Sequence, residues 1–183
     1  MFLLLWLACT DRSDPNQLDL PDRDAFDQFV VEGGYTTEIA DFEHFLEQEH
    51  VDGIVPAWHL WRQGTDWRSV NAPPFAIPPR DQWAGIVPTL KTLRDEVLPL
   101  TGPIIVVSGF RTESYNALAG GAKGSRHKWF EAVDVVPTGC WARTSLQQTL
   151  LAFWERRGPE LRLGLGLYAG TRFHIDTWKY RRW

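Results

Sequence analysis

Apolar residues recur at three- and four-residue spacing in TTEIADFEHFLEQEH, where Ile39, Phe42, Phe45 and Leu46 share one face. This is the period of a helix with one side buried, and Thr36 or Thr37 can cap its start. A second stretch of this kind, WAGIVPTLKTLRDEVLPL, aligns Ile86, Leu90, Leu93 and Val97, with Pro88 expected in its first turn. A third, TSLQQTLLAFWERR, turns Leu146, Leu150, Phe153 and Trp154 inward. Elsewhere the pattern is different. PIIVVSG and AVDVVP are short β-branched runs and read as buried strands. Between them, FRTESYNALAGGAKGS predicts a short helix over ESYNALA and then a glycine-rich turn. RLGLGLYAGTRFHIDTW reads as two strands joined by a glycine turn, a hairpin.

Helices come first and strands cluster later, so the expected class is α+β, with a small antiparallel sheet flanked by helices. Residues 55–81, VPAWHLWRQGTDWRSVNAPPFAIPPRD, carry too many prolines for a regular helix. A long aromatic loop of this kind either wraps the core or serves function, and its Trp-rich part, residues 58–67, is expected as one wall of a groove or as core. Residues 10–36 are polar, acidic and turn-rich and read as a linker. The first nine residues, MFLLLWLAC, are apolar but too short to span a bilayer. They read as the core of a secretory signal, and the LAC ending resembles a bacterial lipoprotein cleavage site with Cys9 lipidated. The expected organisation is therefore a signal-like segment at 1–9, a linker at 10–36 and one domain at 37–183. Export of that domain to the periplasm or cell envelope is expected, with membrane attachment through Cys9 as one option.

The chain has 183 residues, enough for one domain with a real core. Its net charge of −4 argues against nucleic acid as the main partner, because phosphate binding needs a basic face. Two cysteines, Cys9 and Cys140, exclude a disulfide-rich scaffold and a cysteine zinc site. His44, His50 and His59 show no metal-like spacing and read as surface or core residues. A monomer is expected.

Candidate chemistry begins at SRHKWFEAVD, where His127 and Asp134 stand seven apart. A zinc enzyme needs three protein ligands and one open position. His174, in RFHIDTW, is the third candidate. On a strand it shares a face with Asp176, as Asp134 does with Ala132 and Val136. A charged residue inside an apolar strand is costly unless paired or metal-bound. Spacing alone also admits, and does not disfavour, an exposed His127, an Asp134 bound to backbone amides and a core His174.

SGFRT, GGAKGSRHKWFEAVD, GLGLY and FHIDT, in that order, resemble the zinc D-alanyl-D-alanine carboxypeptidases and murein endopeptidases of peptidase family M15. Ser125, His127, Ala132 and Asp134 match the family pattern, and the HxD pair is similar to one subgroup. The resemblance is plain over about residues 83–183. It implies a hedgehog/DD-peptidase-like fold, one zinc ion held by His127, Asp134 and His174, and Arg111 in the site, holding a substrate carboxylate or an oxyanion. Ser108 and Ser125 are implied to help shape the site. The implied reaction is metal-assisted hydrolysis of an amide in the peptide stem of peptidoglycan, of the D-Ala-D-Ala carboxypeptidase type. A crosslink endopeptidase and a non-catalytic zinc-stabilised cell-wall-binding domain are the alternatives. Phe130 stands where the family has glycine, and a ring there is expected to narrow the groove. Thr171 stands where many members carry a catalytic acid. Asp176 is then expected either as the base or as the group that orients His174, with Glu131 as a weaker candidate.

Overall fold

Asp22 starts the first helix. Its carboxylate accepts a hydrogen bond from Ala25 N at 2.9 Å, so a backbone donor of the first turn is satisfied. The computed structural model describes residues 18–183, so the apolar segment and Cys9 lie outside the described residues. Helix α1, Arg23–Gly33, closes on Gly34, whose left-handed conformation (φ 68°) frees the chain to turn. Phe26 of α1 is buried among Trp58, Trp61 and Phe75. The segment expected as a linker thus supplies a core helix, and packing begins before Thr37. One apolar side chain per turn sufficed, although the stretch is mostly polar.

Helix α2, Thr36–Gln48, buries Phe42 and Leu46, with Ile39 and Phe45 packed beside them. Tyr35 occupies the cap position, and no side chain caps the helix. The Pro- and Trp-rich stretch that follows contains a 3-10 turn at Ala57–Trp61 and wraps the core. Helix α3, Trp83–Thr92, carries Pro88 in its interior rather than in its first turn. It runs through a π-turn at Leu93–Val97 into α4, Leu98–Thr101. Ile86, Leu90, Leu93 and Val97 are all fully buried, as the periodicity predicts.

Strand β1, Ile104–Ser108, is followed by the short helix α5, Glu113–Leu118, which Thr112 caps through its side chain. Strand β2, Ala132–Pro137, is buried along its whole length. Helix α6, Arg143–Leu161, buries Leu146, Leu150 and Phe153. Strands β3, Gly164–Leu167, and β4, Phe173–Asp176, form the expected hairpin. A two-residue strand β5, Arg181–Arg182, pairs parallel to β3. The sheet order is β1-β2-β4-β3-β5, and every pairing except β3–β5 is antiparallel. The class is α+β.

The two-residue period divides this sheet sharply. Val133 and Val135, Phe173 and Ile175, and Leu165 face the main core. The opposite face carries Asp134, His174 and Asp176, together with Gly164 and Gly166. Gly164 is required by contact with the buried Asp176 carboxylate, and Gly166 leaves room for the Trp183 indole. A Cβ on Gly164 would fall 2.3 Å from Asp176 Oδ2, and one on Gly166 would fall 2.8 Å from the Trp183 indole.

Candidate metal centre

Asp134 on β2 lies directly opposite His174 on β4, and Ser108 on β1 and Gly166 on β3 complete the row. His127 arrives from a 3-10 turn, Arg126–Trp129, that Ser125 precedes. Phe130 then reverses the chain into β2 with left-handed backbone angles, φ 52° and ψ 45°. Glycine takes such angles without strain and a phenylalanine does not. The Phe130 ring points into the core, fully buried against Phe42 and Phe110. It does not line the site, so the expected narrowing of the groove is not found.

The three expected ligand residues come together. His127 Nε2 lies 3.2 Å from Asp134 Oδ1 and 3.1 Å from His174 Nδ1, and His174 Nδ1 lies 2.9 Å from Asp134 Oδ1. All three side chains are buried. The remaining ring nitrogens fix the tautomers. His127 Nδ1 donates to Gly109 O at 2.7 Å, and His174 Nε2 donates to Asp176 Oδ2 at 2.9 Å. With those protons placed, two imidazole lone pairs and a carboxylate oxygen face one another. Three buried acceptors with no shared hydrogen repel, and a cation between them removes the repulsion. Zinc ligands at about 2.0–2.2 Å in tetrahedral geometry stand roughly 3.3 Å apart, close to the spacing found. The group therefore fits a zinc ion, with hydrogen bonds from behind orienting both rings.

Electrostatics agree for His127 and Asp134. Burial, followed by the Arg111 charge, lowers the His127 pKa to about 4, so the ring is neutral at pH 7. Burial alone would raise the Asp134 carboxyl, but His127 and Arg111 hold it well below the usual carboxylate range. Burial would likewise lower His174, and the carboxylates of Asp134 and Asp176 beside it raise it instead. The Gly109 carbonyl accepts the Nδ1 proton of His127 and Asp176 accepts the Nε2 proton of His174, so one lone pair on each ring faces the centre.

The group lies at a cavity of about 480 Å³, whose wall includes Asp66, Arg111, Ser125, Tyr168, Arg172 and Trp183. Arg111 sits at the site as expected. Its Nη2 donates to Asp134 Oδ2 at 2.6 Å, and its Nε bonds Ser108 Oγ and Gln63 O. Ser125 lines the cavity, whereas Ser108 is buried behind Arg111 and serves to hold it. Asp176 is fully buried and absent from the cavity wall. Besides His174, it accepts from Trp178 N at 3.0 Å and from both Arg181 Nη atoms, at 3.1 and 2.7 Å. Glu131 is likewise off this wall, paired with Arg126. The tryptophans at 58, 61 and 67 do not reach the cavity. Trp61 is core, and from that loop only Asp66 lines it. His44, His50 and His59 lie outside the group.

Asp66, Tyr168, Arg172 and Trp183 did not emerge from the sequence. For two of them the signal was present. Tyr168 is two residues beyond Gly166, and Arg172 two before His174, so the same alternation that selects the ligands also selects these.

A family profile described as Peptidase M15 matches residues 48–166, more than half of the chain. The matched span includes His127 and Asp134, and His174 lies beyond it. No curated protein and no solved structure matches the chain.

Proposed function

The chain belongs to the peptidase M15 family, and from that premise we propose that it is a zinc-dependent peptidase acting on the peptide stem of peptidoglycan, of the D-Ala-D-Ala carboxypeptidase type. The observation that carries this reading is the triangle of His127, Asp134 and His174, three buried acceptors within 3.2 Å of one another beside an open cavity.

His127 Nε2, Asp134 Oδ1 and His174 Nδ1 would hold the ion. Zinc bound there supplies Lewis acidity toward a carbonyl and toward water. The protein's own groups do the rest. Asp176 and the Gly109 carbonyl fix the two imidazoles in the tautomers that leave the ligand atoms unprotonated. Arg111 occupies Asp134 Oδ2, so Oδ1 is left for the metal, and its position on the wall lets the guanidinium face an oxyanion. Tyr168 brings its hydroxyl to 3.4 Å from Asp134 Oδ1 and presents a donor beside the scissile group. Burial, then the charge of Asp134, raises its pKa, so it stays protonated. Proton exchange with water and the leaving amine falls to Asp66, the cavity carboxylate outside the metal set, because Asp176 is sealed behind His174. An exported location, which the apolar segment at residues 1–9 favours, suits this substrate.

Digestion of purified muropeptides followed by mass spectrometry tests the reading. Zinc-loaded protein should release one D-alanine, and chelated protein none. Splitting of a crosslinked dimer would instead identify an endopeptidase. Binding without any product would identify a non-catalytic wall-binding domain.

A further inference from the structure

We propose that Arg172 receives a carboxylate of the substrate, so that the site selects peptides with a free carboxylate beside the bond that is cut. This deepens, and rests on, the peptidase reading above.

Four arginines line the cavity: Arg111, Arg126, Arg172 and Arg181. Three already have a carboxylate partner. Arg111 pairs with Asp134 at 2.6 Å, Arg126 with Glu131, and Arg181 with Asp176 at 2.7 Å. Arg172 has no ion pair among the described residues, and Asp66 on the same wall is not within ion-pair distance of it. Its one hydrogen bond there runs from Nη1 to Thr65 Oγ1 at 3.4 Å, long and weak. A guanidinium carries five N–H donors, so most of this fork is left for a ligand.

The fork is also held in place. Its carbon lies 4.5 Å from the centre of the Tyr168 ring, and the hydroxyl of that ring lies 3.4 Å from Asp134 Oδ1. Tyr168 therefore bridges the cation and the metal ligands, setting Arg172 one aromatic ring away from the reacting centre. Arg172 is partly buried, on the cavity face of the sheet, two residues before His174. A partly desolvated cation without a counter-ion is unfavourable on its own, and a bound carboxylate relieves it with two parallel hydrogen bonds. The chain as a whole is acidic, at −4, so the cationic character here is local to the site. Arg111 is poorly placed for this task, because its Nε and Nη2 are committed to Ser108, Gln63 and Asp134.

The test compares an acyl-D-alanyl-D-alanine acid with its C-terminal carboxamide, using the zinc-loaded full chain. The parent should favour the acid in kcat/KM by roughly 10- to 100-fold. Arg172→Gln should lose that preference through the acid alone, with the amide within about twofold of the parent. Arg172→Lys, a point charge rather than a fork, should fall between. Calorimetry with N-acetyl-D-alanine and N-acetyl-D-alaninamide supplies a readout that needs no turnover. Arg172→Gln should weaken binding of the acid only, with zinc content and melting temperature unchanged. Equal losses on acid and amide, or a preference that survives the substitution, would overturn the proposal. If the parent hydrolyses neither peptide, the proposed substrate is wrong. The binding comparison then decides on Arg172 alone, and equal affinity of parent and variant for N-acetyl-D-alanine rejects it.

Discussion

Asp134 and His174 are direct partners across β2 and β4, and their ligand atoms lie 2.9 Å apart with no hydrogen between them once His174 Nε2 has donated to Asp176. An ion bound at this point joins two strands of the sheet and the 3-10 turn that carries His127, so it should stabilise the fold by mass action. At zinc a thousandfold above its dissociation constant the gain is about 4 kcal/mol. Chelation should lower the melting temperature, and His174→Ala should abolish the difference between zinc-loaded and chelated protein. A melting temperature indifferent to chelator in the parent chain would mean that the three acceptors do not hold a metal.

Asp176 and Asp66 separate two roles that a sequence cannot. Asp176 touches His174 from behind, with no access to the cavity, and Asp66 lies on its wall. Asp176→Asn should weaken zinc affinity by roughly 10- to 100-fold, the usual effect of losing such a partner, and most of the activity should return at saturating zinc. Asp66→Asn should leave zinc content intact and lower kcat by about 100-fold or more. Zinc titration and steady-state kinetics on both variants check this. The reverse pattern would return the base to Asp176.

Alternation on two strands and a histidine in the turn before one of them made the ligand set a candidate, and the resemblance to the M15 motifs, rather than spacing, chose it over an ordinary core histidine and an amide-bound aspartate. The helices at 83–101 and 143–161 were legible from their period, since their buried faces repeat over several turns. Helix α1 was obscured by composition. Of its eleven residues, RDAFDQFVVEG, Phe26 alone is fully buried, yet Asp22 caps the helix and Phe26, Phe29 and Val30 fall at helical spacing. Strand β5 is two residues long, shorter than any period, and only the register with β3 reveals it. The role of Phe130 was illegible for a different reason. A residue type does not say which way its ring points when the backbone is left-handed.

His59 predicts an acid limb in stability that does not involve the metal. Burial, with a smaller contribution from the Arg62 charge, lowers its pKa from 6.5 to about 3. The unfolded chain therefore takes up the proton first as the pH falls. The contribution of the neutral ring is complete above about pH 6.5 and is lost progressively from pH 6.5 down through pH 3. His59→Phe keeps an aromatic ring against Trp58 and cannot titrate. Chemical denaturation of chelated protein at pH 7 and pH 4 should show the parent losing roughly 2 kcal/mol more than the variant, after allowance for solvent screening. Parallel losses would place His59 in water.

Phe130 sets two opposing effects at one position. Its φ of 52° is a left-handed conformation, which costs a non-glycine residue about 1–2 kcal/mol. Its ring is fully buried between Phe42 and Phe110, and removing such a ring costs about 3–5 kcal/mol. Packing is the larger effect, which explains how phenylalanine is retained where the family pattern has glycine. Both truncations should therefore destabilise the domain. Phe130→Ala leaves a void and keeps the strain, because alanine still has a Cβ. Phe130→Gly leaves a slightly larger void and releases the strain, so it should be less damaging than alanine by about 1 kcal/mol. The ring lies outside the cavity, so where both variants are folded their kcat/KM should stay within a fewfold of the parent. Denaturant titration ranks the three proteins. A glycine variant less stable than the alanine variant would mean that the turn before β2 does not hold the left-handed angles on which the placement of His127 depends.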